Sequence, residues 1–137
     1  MNYTAIHKNQ TGIAAELFVA AELSRRNFNV AITFGNTKSI DLLAEKNGRK
    51  TSIQVKGIQR TKSICWNINR DSIKKDVIYI LVNLHCDLLE APAEYFIFTA
   101  KELLATLKEV KSGRDYIDYN PISKSDAFKN AWHKINN

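Results

Sequence analysis

The sequence predicts a mixed α/β sandwich built around one central sheet. Three observations predict it. A helix-forming segment precedes every strand signal, an Asn47-Gly48 turn sits between two alternating segments, and residues 76–84 (DVIYILVNL) and 95–98 (YFIF) are apolar runs rich in β-branched or aromatic side chains. At 137 residues, 45% of them hydrophobic, the chain is long enough for a real core, and residues 1–137 are read as a single domain.

The first element is a helix over residues 10–27, where Ile13, Leu17, Ala20 or Ala21, and Ser24 recur on one face. Glu22 precedes Arg25 and Arg26 by three and four residues, the pattern of an ion-paired surface. Glu16 differs, because Gly12, Ile13, Val19 and Ala20 surround it at helical spacing and a carboxylate there needs a partner. It either reaches water or an arginine from the edge of the stripe, or leans toward the sheet as a functional acid. Gly12, one turn earlier, either lets a backbone or phosphate approach closely or simply begins the helix.

A strand over residues 29–34 (NVAITF) and a polar turn over 35–39 lead into a hairpin at 40–57. Asn47-Gly48 suits a type I′ turn, since both residues tolerate positive φ. Counting outward pairs Lys46 with Arg49, Glu45 with Lys50, Ala44 with Thr51, Leu43 with Ser52, Leu42 with Ile53, and Asp41 with Gln54. Ile40, Leu42, Ala44, Ile53 and Val55 then share one face, and Asp41, Glu45, Ser52, Gln54 and Lys56 the other. Cross-strand Cβ atoms lie ~5 Å apart, so the Asp41 carboxylate and the Gln54 amide oxygen are placed to share one divalent cation. Lys56, two residues along, reaches an adjacent phosphate or water.

Residues 64–68 (ICWNI) read as a short strand and 70–75 as a loop or helical turn. The run at 76–84 has the character of a strand buried on both faces. Thr99 and Glu102 have capping-box spacing, which starts a helix that runs to about Lys111 and stops at Gly113. A last helix follows Asn120-Pro121, with Phe128, Trp132 and Ile135 as its core stripe.

The formal charge of +6 and a pI near 9.4 favour an anionic partner. Between positions 46 and 75 the only acid is Asp71, so the basic block overlaps the hairpin and makes nucleic acid the leading partner. Its candidate phosphate contacts are Lys46, Arg49, Lys50, Arg60, Lys62 and Arg70. Cys65 and Cys86 lack metal-ligand spacing and read as structural thiols of a reducing cytoplasm. No apolar run approaches the ~20 residues that span a bilayer. His7, His85 and His133 show no triad or ligand spacing, and Trp66 reads as a half-buried aromatic rather than a base-stacking platform.

Gly12-x-x-x-Glu16 on a first helix, Ile40-Asp41 on a strand and Gln54-Val55-Lys56 on the next strand together resemble the PD-(D/E)xK nuclease superfamily, in its Holliday-junction-resolvase-like and Mrr-like restriction branches. The match covers the first ~57 residues well and the remainder loosely. The resemblance implies a restriction-endonuclease-like three-layer sandwich with a central mixed β-sheet flanked by helices. It also implies a metal-dependent endonuclease that hydrolyses phosphodiester bonds in DNA, with a homodimer as the working unit.

In that scheme Asp41, the Gln54 side-chain oxygen and the Val55 carbonyl hold Mg²⁺ or its substitute Mn²⁺, and Glu16 joins through water or a second ion. Lys56 orients or helps deprotonate the attacking water. Two departures stand out: Ile40 rather than proline precedes Asp41, and Gln54 removes one negative charge from the metal site. The alternative is therefore a catalytically inactive nuclease-fold protein that binds DNA or a partner. A basic α/β protein unrelated to nucleases is the third reading, and it would gain if Glu16 lay far from Asp41.

Overall fold

The computed structural model describes residues 5–33, 40–60, 64–109 and 114–135. Its chain order is α1 (Lys8–Arg25), β1 (Asn29–Ile32), β2 (Leu42–Lys46), β3 (Arg49–Ile58), β4 (Cys65–Asn67), β5 (Val77–Asn83), β6 (Glu94–Thr99), α2 (Ala100–Thr106), β7 (Lys108–Glu109), β8 (Asp115–Asp118) and α3 (Tyr119–Ser123). Short 3-10 turns occupy Arg70–Ser72 and Trp132–Lys134. The five-stranded central sheet has the order β1-β2-β3-β5-β6, and a small second sheet has the order β4-β8-β7. Only β3 and β5 pair in parallel within the central sheet, which makes it mixed.

The hairpin forms in the expected register, from Lys46↔Arg49 to Leu42↔Ile53, around Asn47 and Gly48 at φ +54° and +78°. Alternation decides what each face does. Leu42, Ala44, Ile53 and Val55 join Ile80 and Val82 against Ala15, Val19 and Leu23 of α1. Tyr79, Leu81, Phe96 and Phe98 point the other way, against Trp66, Ile117 and Leu103. The central strands are covered on both sides, the physical basis of their unbroken apolar sequence.

Three expectations change. The buried face of α1 is Thr11, Ala15, Val19, Ala20 and Leu23, while Ile13 and Leu17 are about half exposed. Spacing alone cannot choose between two apolar stripes on one helix, and small Ala15 permits the closer approach to the sheet. The second helix starts at the expected capping box, with Thr99 and Glu102 bonded reciprocally, but ends at Thr106. Leu107 turns extended and Lys108–Glu109 pairs with β8, a strand absent from the sequence reading; Gly113, the expected stop, lies outside the described residues.

The last helix is also shorter than expected. After Tyr119–Ser123 the chain runs out along the open edge of β6, where Ile97 N–H donates to the Phe128 carbonyl and Asn130 N–H to that of Tyr95. Covering a sheet edge satisfies more backbone groups than extending a short helix would. Phe128 consequently stacks on Phe98 on one side of the sheet, with Trp132 and Ile135 on the other. Residues 34–39, including the expected turn, lie outside the described residues.

Candidate functional site

Unequal strand lengths create the site. Strand β2 ends where Leu42 pairs with Ile53, whereas β3 continues to Ile58, so the later half of β3 loses its neighbour on that side. The chain bends at Asp41, so the expected strand pair of Asp41 with Gln54 does not form. The Asp41 N–H donates to the Ile53 carbonyl at 2.9 Å, and its Oδ2 accepts from the Val55 N–H at 2.8 Å. The carboxylate thereby takes the place of the missing ladder partner.

Helix α1 reaches this open edge because the chain is small where the two meet. A Cβ on Gly57 would lie 2.8 Å from the Ala15 Cβ and 3.3 Å from the Thr11 carbonyl oxygen, so only glycine fits. Gly12 is not the close-approach glycine, since a Cβ there would meet nothing within 4 Å. Gln59 ties the start of the helix to β3. Its Oε1 accepts from the Ile6 N–H at 3.1 Å, and its Nε2 donates to the Ile6 carbonyl at 2.6 Å and to Thr11 Oγ1 at 2.8 Å. His7 caps the helix by accepting from the Asn9 N–H at 3.1 Å.

These contacts enclose a trough of about 750 Å³ with β3 as its floor. Lys8, Gly12 and Glu16 line one wall, residues 64–67 line the other, and Asp41, Gln54, Val55 and Lys56 all open into it. Gln54, which also lines the trough, is 8% exposed. Burial and the adjacent Asp41 carboxylate, which hydrogen-bonds it, push the Glu16 carboxyl up to about 7. Two acids crowded at a sheet edge, with an amide oxygen beside them, form a set of hard oxygen donors suited to a divalent cation. Among the described residues no group of three or more His, Cys, Asp or Glu side chains could hold a metal, so the set stops at two carboxylates.

The basic residues divide. Arg49 and Lys50 sit at the hairpin tip, and the six to seven residues of strand between put them ~20–23 Å from Lys56. Lys46, near them, donates to the Arg26 carbonyl at 3.2 Å. Arg70 lies 3.6 Å from Asp115 in an ion pair. Arg60 directly follows the trough floor, at φ +66° with its guanidinium 4.3 Å above the Tyr119 ring. Lys62 lies outside the described residues. Trp66 is fully buried and donates Nε1–H to the Val82 carbonyl, so it presents no stacking face. Lys8 and Gln59 escaped the sequence reading, because neither belongs to a motif and only the docking of α1 brings them to β3.

A second polar cluster lies across β5 and β6. Burial alone would raise Glu94, but hydrogen bonds from Tyr119, Lys129, Asn83 and His85 pull its carboxyl down to about 2. His85, a turn residue at φ +50°, is anchored there by a 2.8 Å contact to Glu94. Burial, and then Asp118 and Asp87 respectively, raise the Cys65 and Cys86 thiols. No described helix is long and apolar enough to cross a membrane.

No protein-family model matches the sequence, and no curated protein does. Solved structures do match in fold. The bacterial homing endonuclease I-Ssp6803I superposes with a TM-score of 0.63 at 16% identity, over 96% of this chain and 92% of that one. Hjc, a Holliday junction resolvase from the archaeal hyperthermophile Archaeoglobus fulgidus, superposes with a TM-score of 0.54 at 16% identity, over 82% of this chain and 87% of that one. With its mixed sheet and two covering layers, the chain shares the fold of these two structures, a restriction-endonuclease-like three-layer α/β sandwich.

Proposed function

We propose that this protein is a Mg²⁺-dependent endonuclease that hydrolyses phosphodiester bonds in DNA, with Mn²⁺ as a substitute ion. The observation that carries the reading is that Glu16 of α1, Asp41 at the bend before β2, and Gln54 and Lys56 of β3 line one trough. Asp41, the Gln54 side-chain oxygen, the Val55 carbonyl and Glu16 are the residues that would hold the ion. When bound, the ion polarises the scissile phosphate and acidifies a water.

The chain's own groups do the rest. Glu16, whose carboxyl burial and Asp41 push up to about 7 in the metal-free site, would give up that proton on joining the ion. Lys56 opens into the trough, where its ammonium orients the attacking water and offsets charge developing on the phosphorane. Lys8 and Arg60 flank the floor and contact phosphates on either side. Lys46, Arg49 and Lys50 form a separate basic tip for a more distant part of the duplex, with Lys62 and Arg70 as further phosphate contacts. The free thiols suit a reducing cytoplasm. Because one chain carries one trough, cutting both strands calls for a homodimer.

Gln54 and the two-carboxylate donor set favour a second reading, a nuclease-fold protein that binds DNA without cutting it. Incubation with branched, linear and supercoiled DNA in Mg²⁺ and in Mn²⁺ separates the two. Metal-dependent cleavage abolished by Asp41→Ala and by Lys56→Ala supports the enzyme; binding without cleavage, unchanged by either substitution, supports the second reading.

A further inference from the structure

At Arg60 the chain leaves the trough floor in a conformation that its surroundings impose. The two residues before it are tied to the turn after β5, where Leu84 N–H donates to the Ile58 carbonyl at 2.9 Å and Cys86 N–H to that of Gln59 at 2.8 Å. The Gln59 side chain is bound to Ile6 and Thr11 as well. Arg60 then takes φ +66°, a left-handed value that glycine or asparagine adopts more readily. Strained backbone of this kind concentrates where a side chain is aimed at a ligand.

What the turn aims is the guanidinium, whose centre lies 4.3 Å above the Tyr119 ring. That ring is fixed on several sides. The Tyr119 N–H donates at 2.9 Å to the carbonyl of Ile64, which lines the trough; the ring packs against Trp66 and Phe96 with centroids 6.0 and 6.2 Å away; and the hydroxyl donates to Glu94. Burial, then the hydrogen bond and charge of Glu94, push the phenol up, so it stays protonated and keeps donating. Stacking occupies the flat face of the guanidinium and leaves its five N–H groups around the rim. The chain does not use them. Arg26, Arg70, Lys129 and Lys134 each face a carboxylate, and Glu94 draws its counter-charge from Lys129 at 3.1 Å, whereas the Arg60 guanidinium makes no ion pair or hydrogen bond among the described residues.

We infer that Arg60 is a fixed phosphate clamp at the end of the trough and that Tyr119 is its positioning residue. The ligand is one backbone phosphate of a DNA strand lying along β3. Arg60 follows Lys56 by four residues, ~13 Å of extended chain, so the clamp takes a neighbouring phosphate and leaves the scissile one to Lys56. Donation from Tyr119 to a carboxylate makes its ring more negative and strengthens its hold on the cation. An arginine held in this way has given up its rotamer freedom on folding, so less is lost when the phosphate binds. The inference rests on the proposed reading of the trough as a DNA site and is the same whether that site cuts or only binds.

The test is a double-mutant cycle on the affinity of the full chain for a fluorescent DNA duplex, with EDTA present so that binding is read without cutting. Arg60→Asn, which suits the left-handed backbone, is expected to lower affinity about tenfold, to take ~0.9 off the slope of log affinity against log salt, and to leave the melting temperature unchanged. Tyr119→Leu is expected to lower affinity about threefold in the parent and not at all in the Arg60→Asn background, while Tyr119→Phe, which keeps the ring, binds nearly as the parent does. Losses that simply add in the double variant, or an unchanged affinity in Arg60→Asn, overturn the proposal. A readout that does not depend on the folding of Tyr119→Leu is the Arg60 Nε–H resonance of the parent, assigned by its loss in Arg60→Asn and expected to be displaced by the Tyr119 ring; a resonance at the position of a free arginine overturns the fixed geometry. A parent chain that binds no DNA sinks the reading of the trough and the clamp with it, whereas a parent that binds DNA with additive losses sinks the clamp alone.

Discussion

The trough and the Glu94 cluster are both made of polar side chains on neighbouring strands, and they solve the burial problem in opposite ways. Glu94 is surrounded by donors: Asn83, His85, Tyr119 and Lys129 all bond its carboxylate, which is held down to about 2. Glu16 instead meets a second carboxylate, that of Asp41, and burial together with that neighbour drives it up to about 7. The first is complete within the chain and works as a clamp joining β5, β6, the second sheet and the C-terminal segment. The second leaves two carboxylates side by side, an arrangement that the cation proposed for the trough would complete.

That contrast breaks most sharply at Lys56 and Asp41. Removing either is expected to lower metal-dependent DNA cleavage by ~10²–10³-fold or more, measured by plasmid nicking; circular dichroism should show little change in melting temperature for Lys56→Ala and a lowered one for Asp41→Ala, which leaves the Val55 N–H without its acceptor. Glu94→Gln should do the reverse. Loss of a charge-assisted cluster around a carboxylate that is 13% exposed should lower stability by ~2–4 kcal/mol in urea melts, with cleavage per folded molecule kept.

A pH series of metal-free unfolding sharpens the same contrast. Between pH 4.5 and about 7 the folded chain keeps a proton on Glu16 that the unfolded chain has lost, so this group's contribution is full below pH 4.5 and disappears as pH rises through about 7. Glu94 has the opposite sign. Its contribution is present above pH 4.5 and is lost as pH falls toward about 2. Mg²⁺ or Ca²⁺ is expected to flatten the Glu16 limb and leave the Glu94 limb unchanged; a divalent ion that alters neither limb would remove the metal from the trough.

The glycines give the smallest effects and opposite signs. Gly57→Ala forces Cβ against Ala15 and should destabilise by ~1–3 kcal/mol while displacing α1, so cleavage falls with it. Gly12→Ala meets open space in a helix and should stabilise by ~0.5–1 kcal/mol. Urea melts of the pair separate a glycine needed for close packing from one that is not.

What the sequence by itself determined was local and periodic. The Asn47-Gly48 turn set the hairpin register, alternation placed Gln54 and Lys56 on the face away from Leu42 and Ala44, β-branched runs marked β5 and β6, and Thr99 with Glu102 marked the start of α2. Each is decided within a few residues by dihedral preference, pleat or capping geometry. Tertiary structure alone decided the rest. It chose which stripe of α1 is buried, because Gly57 and Ala15 allow an approach that Ile13 and Leu17 would block. It also ran the C-terminal chain along β6 instead of into a helix, because an open sheet edge needs hydrogen-bond partners. Above all it left β3 longer than β2, so that the Asp41 carboxylate fills a gap in the ladder and meets Glu16 from a helix 25 residues earlier. Those outcomes depend on which surfaces meet, and neither propensity nor spacing along a single chain carries that information.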